Sequence, residues 1–224
     1  MKGSIHQPNF IPYLGFFNKF KNSDIFVLYD TAQYSKNDYH NRNSIKTSNG
    51  VAWLTIPVSV KLGDSIKDVL IADQSFRKRH LRSIELNYKR AIFFDQIFPD
   101  VVKLYEGTEA SLLDFNIKFL KYFFDIIDSQ KKIVLTSQIN ISSDIKSTAA
   151  LIEILNKIAA DSYISGAGAR NYLDEKMFES SGIKLYWQDF HHPIYEQLWG
   201  DFLPNMSVLD ALFNVGPNKL KELL

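Results

Sequence analysis

The stretch KGSIHQPNFIPYLGFFNKFKNSDIFVLYD, residues 2–30, decides the fold. Its first five residues, Lys2 to His6, have the length and apolar centre of an opening strand. From Tyr13 to Lys21, Leu14, Phe16, Phe17 and Phe20 are interleaved with polar residues, the pattern of a short amphipathic helix. Asp24 to Asp30 then gives a near-continuous apolar run of strand length, which marks a strand covered on both faces. Strand, helix and strand within thirty residues have the spacing of a right-handed βαβ crossover.

Working outward, the polar segment Thr31–Gly50 ends in the turn signal Asn49-Gly50 and reads as a loop or irregular hairpin. The run VAWLTIPV that follows resumes as a strand. Ser65–Ala72 has the character of a short strand, and Asp73 is placed to cap a helix from Gln74 to Ala91. A second strong helix starts near Thr108 and includes Asp114 to Ile127. The last third alternates: KKIVLTS as strand, Ser147–Ala160 as helix, SYISG as strand, Asn171–Ser180 as helix with Gly182 at its C-terminal cap, and IKLYWQDF as strand. Such alternation predicts an α/β fold, a Rossmann-like, mostly parallel sheet flanked by helices, with an irregular aromatic C-terminal segment from His191 that ends in a short helix. No repeat or linker divides the chain, so the expectation is one domain over residues 1–224.

Composition narrows the function classes. Lys plus Arg number 26 against 25 for Asp plus Glu, so no global field draws the chain to nucleic acid or to an anionic membrane. Cysteine is absent, which removes disulfides, thiolate nucleophiles and Cys-ligated zinc. No stretch approaches the roughly 18 apolar residues of a membrane span, and the N-terminus turns polar too early for a secretory leader, so a soluble cytoplasmic protein is expected.

In an open α/β sheet, ligands bind beyond the carboxyl ends of the strands. That rule selects His6, Gln7 and Asn9 after the first strand. It selects Asp30, Gln33, Tyr34, Lys36, Asn37, Arg42 and Asn43 after the second, and the loop Ser165–Arg170 after SYIS. These three clusters are expected to face one pocket. His6 suits proton transfer, and the proline after Gln7 fixes the local backbone; a hydrogen-bonded structural histidine is the alternative. SGAGAR can present backbone N–H groups and Arg170 to an anion, or it is only a tight turn. YSKNDYHNRN concentrates one Lys, one Arg and three Asn, a mix suited to phosphate or carboxylate, or else an ordinary solvated tip. In FRKRHLRSIELNYKR, Phe76, His80, Ile84 and Tyr88 repeat at spacing four on a buried stripe, so His80 either sits satisfied in the core or reaches the cleft from that face. His191-His192 lacks the companions of a metal site, and neither a G-x-S-x-G elbow nor a Walker-type loop is present.

The runs HQPNFIPYLGFFNKF, DIFVLYDTAQYSKNDYHNRNSIK, WLTIPV, RHLRSIELNYKRA, SGAGARNYLD, HHPIYEQL and FLPNMSVLDALFNVGPN together resemble the WbqC-like family, over residues 3 to about 218. The family's motif positions fall on His6, Gln7, Pro8, Pro12, Gly15, Lys19, Tyr34, Lys36, Asn37, Arg42, Asn43, His80, Gly166, Tyr172, Leu173 and Asp174. The resemblance implies a bacterial protein of O-antigen or other surface-polysaccharide biosynthesis that forms an amide on a nucleotide-linked amino sugar by acyl or aminoacyl transfer. In that scheme His6 and His80 are the catalytic candidates, with His6 accepting the proton of the attacking amine. Lys36 and Arg42 hold the diphosphate, while Gln7, Asn37 and Asn43 orient the sugar or the oxyanion. Asn9, Lys19, Asp30, Tyr34, Ser165, Gly166, Arg170 and Tyr172 complete the substrate site, with no metal. An activated acyl donor or ATP is the co-substrate. Two alternatives stand beside it: a non-catalytic nucleotide-sugar binding protein, and an ATP-dependent carboxylate-activating enzyme of nucleotidylyltransferase-like layout. The second lacks the family's H-x-G-H signature, since Tyr13 and Phe16 stand where its histidines would be.

Overall fold

The structure is a computed structural model that describes residues 1–128, 130–142 and 147–224. In chain order its elements are β1 (Lys2–His6), α1 (Leu14–Lys21), β2 (Ile25–Leu28), β3 (Arg42–Thr47), β4 (Gly50–Thr55), β5 (Val58–Ser59), β6 (Leu70–Ile71), α2 (Phe76–Tyr88), α3 (Phe94–Tyr105), α4 (Leu112–Asp128), β7 (Lys132–Leu135), α5 (Ser147–Lys157), β8 (Ser162–Ser165), α6 (Glu175–Ser180), β9 (Lys184–Trp187) and α7 (Val208–Leu223). They form two compact units, each assembled from separate stretches of chain. The first holds residues 1–7, 18–32 and 130–191, the second residues 8–17, 33–129 and 192–224.

The first unit is the α/β, Rossmann-like sheet that the alternation predicts. Five strands, all parallel, lie in the order β7-β2-β1-β8-β9. All four residues of β2, IFVL, are buried, as a strand with helices on both faces requires. Ile5 and Val27 share a core with Ile154, Leu155, Tyr163, Phe178 and Ile183. Gly3 lets α5 close on β1, because a Cβ there would stand 2.8 Å from Leu155 Cδ2. The helix before β9 ends as expected at Gly182 (φ +71°), where Ile183 N–H bonds Phe178 O and Gly182 N–H bonds Glu179 O.

The second unit is mainly helical, with two small antiparallel ladders, β3–β4 and β5–β6. Rings fill its core: Phe10, Phe76, Tyr105, Phe115 and Phe119 meet at centroid separations of 5.1 to 6.5 Å. A buried carboxylate ties the C-terminal segment to the helices. Asp210 Oδ1 accepts from Tyr88 Oη, and Oδ2 accepts from Tyr195 Oη and Gln197 Nε2, all within 2.8 Å.

Several local expectations are corrected. Of the two readings of Thr31–Gly50, loop or irregular hairpin, residues 42–47 take the second in regular form, as a strand hydrogen-bonded to β4 through the turn at Ser48-Asn49. Its polar residues Asn43, Ser44 and Lys46 are buried, and a composition-based reading takes them for solvent-facing. Ser65–Ala72 is a 3-10 turn, Ile66–Asp68, followed by the two residues of β6. α2 begins at Phe76, because the Asp73 carboxylate accepts from Ser75 N–H and Oγ and closes a turn there instead of capping the helix. α4 starts at Leu112 rather than near Thr108. α6 starts at Glu175, where Asp174 is the side-chain cap, rather than at Asn171. The C-terminal helix is longer than expected and breaks at Gly216 (φ 76°), where a Cβ would lie 2.6 Å from the Phe93 ring.

Candidate functional site

In the first unit the chain passes from β1 outward through β2 to β7, then returns to the other flank of β1 as β8 and β9. The strand order therefore reverses between β1 and β8, the place where doubly wound sheets open a ligand crevice beyond their carboxyl ends. The two strands are paired from Lys2↔Ser162 to Ser4↔Ile164, a register that sets Ser165 level with Ile5 and Gly166 level with His6 where the strands end.

His6 and Gln7 are half-buried, and Tyr29 N–H fixes the His6 carbonyl at 2.8 Å. His6 Nδ1 lies 3.0 Å from Gln7 O; with the proton on Nδ1 donated to that carbonyl, Nε2 carries the lone pair of a base. Lys19 is buried, 5% exposed, and its Nζ donates to the carbonyl of Ile5 at 3.0 Å, one residue before His6. Loss of hydration lowers its pKa from 10.5 to about 7. Asp30 is fully buried just beyond β2: Oδ1 accepts from Thr136 Oγ1 at 2.8 Å and Ser137 N–H at 2.9 Å, while Oδ2 has no partner among the described residues.

Beyond the end of β8, Ser165 is buried and Gly166 and Gly168 are not. A Cβ on either glycine would meet nothing within 4 Å, so bare backbone borders open space there. The helix expected to open directly behind this loop does not: Ala167–Ala169 is a 3-10 turn, and α6 with its dipole begins only after the Asp174 cap. What remains for an anion is the exposed backbone and Arg170, whose guanidinium lies 4.7 Å over the Trp187 indole. Tyr172 is 66% exposed beyond the same turn. Two residues not singled out from the sequence join them, Trp187 and Gln188. Gln188 N–H donates to Ser165 O and its Nε2 to Asn18 Oδ1, each at 2.8 Å. The strand-end rule applied to β9 selects both.

The remaining candidates belong to the second unit. Asn43 is buried and its amide is committed to backbone: Nδ2 donates to Phe10 O and Ile11 O, Oδ1 accepts from Ser44 N–H. It holds Ile11 at φ +35°, a conformation unfavourable for a β-branched residue. Asn116 does the same for Pro8 O and His40 O. Asn9 Oδ1 is buried without a partner among the described residues. Tyr34 Oη donates to Asn41 Oδ1 at 2.9 Å, and Lys36 is exposed. Asn37 takes φ +62°, and its carbonyl accepts from Arg42 Nη2 at 2.6 Å. His80 resolves to the core alternative: Nδ1 meets Tyr105 Oη and Nε2 meets Thr55 O, both at 3.1 Å, and burial lowers its pKa to about 4. Arg77, one of the basic residues of α2, is likewise interior, paired with Glu109 at 2.8 Å.

A family model described as the WbqC-like protein family matches residues 7–222. The chain belongs to the WbqC-like protein family. It is 36% identical over 221 residues to the uncharacterized protein Rv1507c of Mycobacterium tuberculosis (strain ATCC 25618 / H37Rv), covering 96% of this chain and 94% of that one. No solved structure matches.

In this WbqC-like chain, among the described residues, no helix is long and apolar enough to cross a membrane, and no group of three or more His, Cys, Asp or Glu is placed to hold a metal ion. The chemical means at the carboxyl edge of the first unit are an imidazole, an amine titrating near neutrality, the Gln7 amide, and a guanidinium beside uncovered peptide groups. Together they can move a proton and hold an anion.

Proposed function

We propose that this WbqC-like protein is an enzyme of surface-polysaccharide biosynthesis that holds a nucleotide-linked amino sugar at the carboxyl edge of the first unit and forms an amide on its amine. The observation that carries the reading is the reversal of strand order between β1 and β8, flanked by His6-Gln7 on one side and by the Gly166–Arg170 turn on the other. The diphosphate lies against the uncovered backbone of Gly166 and Gly168 with Arg170 as its cation. The sugar amine attacks the carbonyl of an activated acyl donor, forming the C–N bond. His6 Nε2 takes the ammonium proton of the tetrahedral adduct and returns it to the leaving group as the acyl–donor bond breaks. Gln7 orients the amine or the developing oxyanion.

The test is a mass-spectrometric assay of purified protein with a panel of nucleotide-linked amino sugars and activated acyl donors. A product heavier by the acyl group, with turnover reduced about 10²- to 10⁴-fold in His6→Ala, supports the reading. Binding of the nucleotide sugar without product across the panel assigns the chain to the non-catalytic alternative, and neither binding nor product removes both.

A further inference from the structure

The second unit carries a surface that the proposed reaction does not use. Trp53 on β4 and Tyr39 in the preceding loop are 48% and 47% exposed, with ring centroids 6.2 Å apart and planes 39° apart. Ser44 is the partner of Trp53 across the β3–β4 ladder, and this sets Arg42, two residues earlier, diagonally beside the indole. Its guanidinium lies 4.6 Å over the indole ring.

Arg42 is not a saturated side chain. Arg77, also in this unit, spends Nε on Gln74 Oε1, Nη1 on Tyr105 O and Nη2 on Glu109 Oε2. Arg42 donates from Nη2 to the Asn37 carbonyl, whereas its Nε is buried with no acceptor, and it has no ion pair among the described residues. Asn37 adopts φ +62°, and its carbonyl accepts from Nη2, which fixes the guanidinium beside the indole. Lys36, exposed on the same loop, adds a second positive charge. Half-exposed rings beside a guanidinium that no carboxylate among the described residues neutralises match a flat π-system that carries negative charge, as in the stacking platforms that hold nucleotides.

We propose that Tyr39, Trp53 and Arg42 form a binding site for a nucleoside phosphate, with the base stacked on the aromatic pair and the phosphate on Arg42 and Lys36. The site stands on this geometry alone.

The test is calorimetric titration with ADP of the wild type, Trp53→Ala, Arg42→Ala and Arg170→Ala, with folding of each checked by circular dichroism and urea midpoint. Ribose 5-phosphate serves as the probe without a base. The expected result is ADP binding that weakens at least 10-fold in both Trp53→Ala and Arg42→Ala, persists in Arg170→Ala, and exceeds that of ribose 5-phosphate by 10-fold or more. Binding that survives Trp53→Ala, binding equal for the two probes, or no ADP binding overturns the site. ADP binding lost only in Arg170→Ala overturns it as well, but leaves the switch-point reading of the first unit standing.

Discussion

Lys19 offers the sharpest thermodynamic prediction. Its amine is buried with a single carbonyl as partner, and its pKa falls from 10.5 to about 7. A base whose folded pKa is lowered binds fewer protons in the native state than in the unfolded chain between those two values, so stability rises with pH across that window. Below about pH 7 both states are protonated and the whole penalty is present. The interval from 10.5 to about 7 corresponds to roughly 5 kcal/mol at 1.36 kcal/mol per unit. Lys19→Met keeps most of the buried volume and removes the titration. The assay is urea denaturation of wild type and Lys19→Met at intervals from pH 7 to 10, taking the difference so that other groups cancel. The wild type should gain on the variant by about 1.4 kcal/mol per pH unit over most of the range. A flat difference would show that the amine keeps its charge and its water, and would refute the claim that the switch point rests on a desolvated lysine.

Further outcomes follow from the same reasoning. His80, whose pKa is lowered to about 4 by burial, must be neutral in the fold, so stability should fall as pH drops from about 6.5 to 4, by roughly 3 kcal/mol relative to His80→Phe in paired denaturation curves. Asp210→Ala strands the buried hydroxyls of Tyr88 and Tyr195 and removes one of the acceptors of the half-buried Gln197 amide, and should lose about 3–5 kcal/mol in urea midpoint analysis, with Tyr88→Phe losing less. Gly166→Ala and Gly168→Ala meet no atom and require no left-handed backbone, so both should match or exceed the wild type in stability, by up to about 1 kcal/mol. If their backbone touches a diphosphate, both should nevertheless weaken nucleotide-sugar binding; unchanged affinity would remove the glycine turn from the site.

The first unit was legible because its signals are local. The apolar run of β2, the amphipathic spacing of α1 and the Schellman turn at Gly182 each depend on neighbours in sequence, and the strand-end rule then reached His6, Gln7, Asp30 and Arg170. The second unit was harder because its decisive contacts are long-range. α3 went unread since Pro99 lies inside it and a proline ordinarily ends a helix. β3 is polar and buried, with Asn43 clamping Phe10 and Ile11 across more than thirty positions. From sequence, an asparagine that clamps backbone and one that waits for a ligand look alike, which is why Asn43 stood among the substrate contacts. His80 shows the same limit: its helical stripe identified the buried face, and only Tyr105 and Thr55 showed that both ring nitrogens are used. Tyr39 and Trp53 carry no local signal at all, because their rings meet across fourteen positions of sequence, one in the loop before β3 and the other on β4.

A nucleotide-linked amino sugar seated beyond the carboxyl ends of β1 and β8 should be visible in the backbone amide chemical shifts. Titrating the labelled protein with the panel of nucleotide-linked amino sugars should move the amides of Gln7, Gly166, Ala167 and Gly168 saturably, and Arg170→Ala should weaken the response. Saturable shifts confined to other parts of the chain, with these four amides still, would contradict it.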